Sequence, residues 1–172
     1  MKLQTPPSPE ETMPDRQALF REAMSRVAGA VHLITTDGPA GRGGLTATAL
    51  TSVSDEPPTL LVCLNKSSRT ATILRKNMAF AVNTLGAGQQ ELANIFAGRT
   101  PAAGESRFTH GNWRRGAAGQ PVLDDALMHF EARVIDIRPV ASHYVVLGEI
   151  VGIALGPDHR GLVYARRAYH AV

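Results

Sequence analysis

Gly43-Gly44-Leu45-Thr46-Ala47-Thr48-Ala49-Leu50-Thr51-Ser52-Val53-Ser54 alternates small or apolar residues with hydroxylated ones. A period of two is the signature of a strand with two unlike faces. Residues 45–53 therefore read as one strand. Leu45, Ala47, Ala49, Thr51 and Val53 share one face, and Thr46, Thr48, Leu50 and Ser52 share the other. Hydroxyls on one face can hydrogen-bond a polar ring edge or a phosphate, and the alanines leave room for a flat ligand. An ordinary strand with one polar face has the same pattern, because threonine favours strands. Neither a Walker loop nor a dinucleotide fingerprint is present.

Outward from this stretch, branched and apolar runs recur between turn residues. Residues 31–36 stop at Asp37-Gly38-Pro39, residues 59–64 follow Asp55-Glu56-Pro57-Pro58, and residues 79–85 end at Gly86. All three read as strands. Residues 127–137 and 143–155 read as two long strands with a turn around Pro139, and 161–169 as a last strand. Helices are expected over 15–27, where Leu19, Ala23 and Val27 are four apart, and over 68–76 and 89–97. Residues 98–119 read as a long excursion of weak periodicity, a kind of segment that often carries function. Strands outnumber helices, and most links are too short for helical crossovers, which argues against a doubly wound sheet. The expected fold is mainly β with peripheral helices, a closed or partly closed antiparallel barrel.

Composition narrows the function classes. A chain of 172 residues with 44% hydrophobic residues suits one domain that buries about two-thirds of its unfolded surface. That domain is expected over 15–172. Residues 1–14, with Pro6, Pro7, Pro9 and Pro14, read as a loose tail without the apolar core of a signal peptide. One cysteine excludes an internal disulfide and suits a reducing compartment. No stretch approaches the roughly 18 apolar residues of a membrane span, so a cytoplasmic location with no membrane contact is expected. The net charge of +3 is scattered, unlike a nucleic-acid footprint. It would still help attract phosphorylated ligands.

A second polar segment, Asn65-Lys66-Ser67-Ser68-Arg69-Thr70, sits where a strand yields to a helix. Amides at a helix start, hydroxyls of Ser68 and Thr70, and the charge of Lys66 or Arg69 make a phosphate cradle. Ser67 or Ser68 would equally cap any helix, and the two roles are compatible. Cys63, between Val62 and Leu64, reads as a small core residue rather than a nucleophile. The six histidines show no metal-ligand spacing, so no metal site is expected. His143 stands out because it opens a strand, where it would orient a ligand or hold a proton. Asp124-Asp125 reads as a solvated turn, and Trp113 as a cofactor cover, a dimer seam or a packing residue.

These residues resemble the short-chain flavin reductase family, the reductase components of two-component flavin-dependent monooxygenases. Gly44 to Ala49 with Ser52-Val53-Ser54 looks like the family's flavin-binding strand. Pro57 to Asn65, continued by the spacing Asn65-x-x-Ser68-x-Thr70, resembles its second flavin segment, and Gly161-Leu162-Val163-Tyr164 with Arg166 to His170 is similar to its ending. The resemblance runs from Phe20 to His170. It is nearest to the reductases of 4-hydroxyphenylacetate and pyrimidine monooxygenases around Ala23-Met24, Ile34-Thr35-Thr36 and Val82-Asn83-Thr84-Leu85.

The resemblance implies a split β-barrel homodimer that binds FMN or FAD and reduces it with NADH or NADPH. The reduced flavin would pass to a monooxygenase component. It implies that Thr46, Ala47, Thr48, Ala49 and Ser52 meet the ring edge and ribityl chain. Cys63, Leu64 and Asn65 would lie along the flavin through backbone. Ser68 and Thr70 would hold the phosphate, Asn83 would lie near the ring, and Tyr169 would assist nicotinamide stacking. His143 matches a histidine near the nicotinamide, although the residue before it is Ser142 where the family commonly has an acid or threonine. NADH is not separated from NADPH by sequence: Arg138, Arg166 and Arg167 would each either meet a 2′-phosphate or merely face water. The competing readings are a non-enzymatic flavin-binding electron carrier or redox sensor on the same barrel, and a pyridoxamine-phosphate oxidase-like enzyme. The last lacks a visible basic cluster for a second phosphate.

Overall fold

The computed structural model describes residues 13–172. The first helix, α1, spans Met13–Ser25. It begins two residues inside the stretch expected as tail; residues 1–12 lie outside the described residues. Next come β1 (Gly29–Ala30), β2 (His32–Thr36), β3 (Gly43–Ala47), β4 (Leu50–Asp55) and β5 (Pro58–Asn65). Helix α2 (Arg69–Asn77) leads to β6 (Ala79–Thr84) and to α3 (Gln90–Phe96). A short 3-10 helix over Gly104–Thr109 precedes β7 (Trp113–Arg115) and β8 (Pro121–Leu123). The chain ends with β9 (Met128–Val140), β10 (His143–Leu155), β11 (Leu162–Ala165) and β12 (Ala168–Ala171). The fold is mainly β with a few helices, as the sequence predicts.

Seven strands form one antiparallel sheet in the order β3-β2-β6-β9-β10-β5-β4. Its two edge strands, β3 and β4, are separated by Thr48 and Ala49 alone. Two residues reach only about 10 Å across their flanking Cα atoms, so the sheet curls until its edges approach at this corner. The single strand expected over 45–53 is therefore broken. Ala47 pairs with His32, whereas Leu50 pairs with Val62. The alternation slips at the break: Leu45, Ala47 and Leu50 all pack against the same core. Tertiary pairing overrides the local period here.

Two further expectations need correction. The last strand, expected over 161–169, is the hairpin of β11 and β12, because Arg166 and Arg167 take φ of 50° and 61°. Positive φ at both central residues matches the twist of a two-residue hairpin turn. The turn expected at Pro139 lies instead at Ala141-Ser142, and β9 continues through the proline. Beyond Arg133 it no longer pairs with β6, and a strand with one open side tolerates proline.

One core fills the curl of the sheet with Ile34, Leu60, Val62, Leu64, Phe80, Val82, Ala132, Val134 and Val146, closed by Ala71 and Leu74 of α2. A second lies on the other side of β2, where Val31 and Leu33 meet Phe96 and Ile95 of α3, Leu123 and Leu162. Every residue of β2 is buried. Its three polar side chains are satisfied inside: His32 Nδ1 lies 2.9 Å from Thr84 Oγ1, and the hydroxyls of Thr35 and Thr36 donate to Pro121 O and Ala79 O.

Candidate functional site

The gap between β3 and β4 opens a cleft. The cavity there, of about 370 Å³, is lined by Leu45 to Ala49, Cys63 to Asn65, Ser68, Phe96, Ala97, Arg107 and His143. Nine of the sequence-predicted residues thus converge: Thr46, Ala47, Thr48, Ala49, Cys63, Leu64, Asn65, Ser68 and His143. Strand pairing brings two of them together, since His143 at the start of β10 faces Asn65 at the end of β5. His143 is exposed, and its Nδ1 lies 2.9 Å from Ser142 Oγ. Lys66 holds this corner from below: its backbone N–H donates to Ser142 O at 3.0 Å and its Nζ to Ala141 O at 2.6 Å.

The two roles left open for residues 65–70 separate in the structure. Asn65 Oδ1 accepts from Ser67 N at 2.9 Å and Ser67 Oγ at 2.8 Å. Ser68 is the N-cap of α2, yet its side chain makes no capping hydrogen bond. Its hydroxyl therefore remains available at the point where the cleft meets a second cavity. That cavity, of about 280 Å³, is lined by Arg42, Gly43, Gly44, Ser68, Arg69, Thr70, Ile73, Ala103, Gly104 and Arg107. Three guanidinium groups converge there and no carboxylate lines it. Arg69 makes no ion pair among the described residues, whereas Arg42 is 2.9 Å from Asp37 Oδ2. Arg107 Nη1 donates to Gly44 O at 3.0 Å and Phe96 O at 3.2 Å, which fixes it between the two cavities. The hydroxyl of buried Thr70 is committed: it donates to Gly44 O at 3.0 Å.

A third cavity, of about 170 Å³, shares Thr46, Ala47, Thr48 and Ala97 with the cleft and is completed by Val31, Arg99, Tyr164 and Tyr169. The two tyrosine rings meet edge to face with centroids 5.0 Å apart. Burial pushes the Tyr169 phenol above its ordinary pKa. This is where the predicted Tyr169 lies.

Two predicted residues lie off all three cavities. Ser52 is exposed on the edge strand β4, paired with Leu60. Asn83 is fully buried: its Nδ2 donates to Leu33 O and Thr35 Oγ1, and its Oδ1 accepts Leu123 N at 2.8 Å. These side-chain bonds clip β6 to β2 and β8.

Sequence reasoning missed Arg42, Phe96, Ala97, Arg99, Arg107 and Tyr164. Five of them belong to the end of α3 and the excursion after it or to the turn before β3. No period marks such residues, so the one usable signal was the unexplained length of the excursion. The charge of this pocket is assembled from Arg42, Arg69 and Arg107, on three separate segments of chain, of which the sequence marked only Arg69.

A donor-lined cationic pocket continuous with a small-residue cleft suits a phosphorylated planar ligand. Comparison with known proteins agrees. An FMN reductase (NADH) RutF of Ancylobacter novellus is 49% identical over 153 residues, covering 89% of this chain and 83% of that one. The protein of the same name from Cronobacter sakazakii is 47% identical over 160 residues, covering 93% and 95%. Among solved structures, a putative flavin reductase of Haemophilus somnus superposes with a TM-score of 0.85 at 42% identity, over 90% of this chain and 98% of that one. BorF, the flavin reductase component of a bacterial two-component tryptophan halogenase, superposes at 0.84 with 27% identity, over 91% and 98%. Residues 24–172 match the flavin reductase like domain, so cleft, arginine pocket and curled sheet sit together in a chain that belongs to that family.

Proposed function

We propose that this protein is an NAD(P)H-dependent flavin reductase that reduces FMN or FAD and supplies the reduced flavin to a partner monooxygenase. The observation that carries the reading is the continuity of the arginine pocket with the cleft through Ser68 and Arg107. Relatives named FMN reductase (NADH) favour FMN and NADH.

Bound flavin supplies a two-electron acceptor for hydride from the nicotinamide. The chain's part is to bind, orient and shield. Ser68, Arg69 and Arg107, with Arg42, hold the phosphate. Thr70 acts at one remove, by anchoring Gly44 beneath it. Thr46 to Ala49 and Cys63 to Asn65 border the ring, with side chains small enough for close approach. Of the hydroxyls, Thr46 Oγ1 donates to Ala93 O at 2.7 Å and so fixes β3 against α3. His143 at the mouth orients the nicotinamide against the ring, and Tyr169 approaches from the third cavity. Stacking at near-attack distance is the main catalytic contribution this arrangement offers. The arginines favour an anionic ligand in the cleft.

The finer architecture belongs to the same proposal. A seven-stranded sheet whose edges meet at Thr48-Ala49 supports a split barrel. Residues 15–172 act as one domain, working as a homodimer in the cytoplasm. The test is NADH oxidation by purified protein with and without FMN, FAD or riboflavin. Flavin-stimulated turnover is expected, fastest with FMN. Quenched flavin fluorescence without turnover would place the chain among electron carriers or sensors.

A further inference from the structure

The third cavity is walled on its outer side by one cation. Arg99 follows α3, and its guanidinium carbon lies 5.5 Å from the Tyr164 ring centroid and 5.7 Å from that of Tyr169. Nη2 donates to Tyr164 Oη at 3.1 Å and Nη1 to Asn94 Oδ1 at 3.1 Å. Arg99 makes no ion pair among the described residues, and no carboxylate lines this cavity. Two of the arginines that the sequence offered for a nucleotide phosphate are paired elsewhere: Arg138 with Asp136 at 2.6 Å and Arg167 with Glu22 at 2.8 Å. Arg166 makes its backbone bond to Ser25 O in the hairpin turn, and none of the three lines this cavity. Two aromatic faces and two side-chain hydrogen bonds hold Arg99 in place, so little side-chain freedom is lost when it binds.

We propose that Arg99 is a binding residue for the nicotinamide dinucleotide, taking its pyrophosphate at the mouth of the third cavity. The inference rests on the reductase reading above. With the flavin phosphate in the arginine pocket and the ring along the cleft, the third cavity borders Thr46, Ala47 and Thr48 of the ring-lining residues, whereas a cavity of about 630 Å³ beside α1 reaches only Thr48 and Ala49 of them. The third cavity has room for little beyond the nicotinamide half. The phosphate nearest that half is the pyrophosphate, not the 2′-phosphate on the far ribose. An uncompensated guanidinium presents a fork suited to phosphate oxygens.

The experiment compares wild type, Arg99→Gln and Arg99→Lys. NADH and NADPH oxidation are measured at saturating FMN, and NAD+ is titrated by calorimetry into FMN-loaded protein, where no reaction occurs. Arg99→Gln should raise the KM for NADH and for NADPH about tenfold, the loss of one charge-assisted contact. It should weaken NAD+ binding by a similar factor, leaving kcat and FMN affinity within about twofold. Arg99→Lys should restore part of the loss. An unchanged KM with unchanged NAD+ affinity overturns the assignment. A loss confined to NADPH overturns the pyrophosphate and points to the 2′-phosphate. Parallel loss of FMN affinity, kcat and thermal stability means a structural role, which also overturns it. If wild type oxidises neither nucleotide with any flavin, the reductase reading fails. The NAD+ titrations then decide on Arg99 by themselves.

Discussion

At the scale of single residues, two hydroxyls that look alike in sequence do different work. Ser68 caps α2 without using its side chain, whereas the Thr70 hydroxyl is buried against Gly44 O. Ser68→Ala should therefore weaken FMN binding several-fold at unchanged stability. Thr70→Val should instead cost about 1 kcal/mol of stability, the usual net value of a buried hydrogen bond, with a smaller effect on FMN. Fluorescence titration and urea unfolding of both variants separate the two roles. His143 offers a third contrast, because it is exposed at the mouth and, among the described residues, its ring lies within hydrogen-bond distance of Ser142 Oγ alone. His143→Ala should lower the NADH-dependent rate about tenfold while FMN affinity holds. Collapse of FMN binding with an intact rate per bound flavin would assign it to the flavin instead.

At the scale of elements, what the sequence shows depends on whether local and tertiary preferences agree. Strand β5 and helix α2 were legible because an apolar run and a helical period each matched the surroundings they found. The break at Thr48-Ala49 was not, since nothing in the alternation of 45–53 marks where one partner strand is exchanged for another. The β11–β12 hairpin was missed for a related reason. Its turn is Arg166-Arg167, and arginine carries no signal for positive φ, which costs a non-glycine residue about 1–2 kcal/mol. Arg166→Asn should relieve part of that strain and raise the unfolding free energy by about 0.5 kcal/mol. It keeps the Arg167–Glu22 pair. A lower denaturant midpoint would show that the turn conformation is held by something other than local preference.

At the scale of the whole molecule, burial and exposure each make a prediction. His32 is 5% exposed, and desolvation lowers its pKa from 6.5 to about 4. The native state keeps it neutral, so between those values the unfolded chain binds the extra proton. Stability from this group is fully present above about pH 6.5, falls as the pH drops, and is lost below about pH 4. At pH 5 the penalty is about 2 kcal/mol relative to pH 7. His32→Asn should flatten the stability profile in that window, and an equally steep profile would remove His32 as its source. Exposure points outward: Val151, Ile153 and Leu155 lie on one face of β10 at 51%, 60% and 85% exposure. A stripe of that kind on a strand calls for a partner. The proposed homodimer should sediment as two chains, and Ile153→Glu should release monomers if this stripe lies in the seam.

The sequence by itself determined that the fold is mainly β, that helices start near residues 68 and 89, and that small and hydroxylated residues cluster around 44–49 and 63–70, which line the cleft. Those are properties of period, turn chemistry and side-chain size, which act over a few residues. The tertiary structure decided where the long strand breaks, and it left Ser52 and Asn83 outside the cleft. It also decided that Arg42, Arg69 and Arg107 share one pocket while Arg99 guards another. Such placements arise from pairings between segments far apart in the chain, and no local pattern encodes which distant strand a residue will meet.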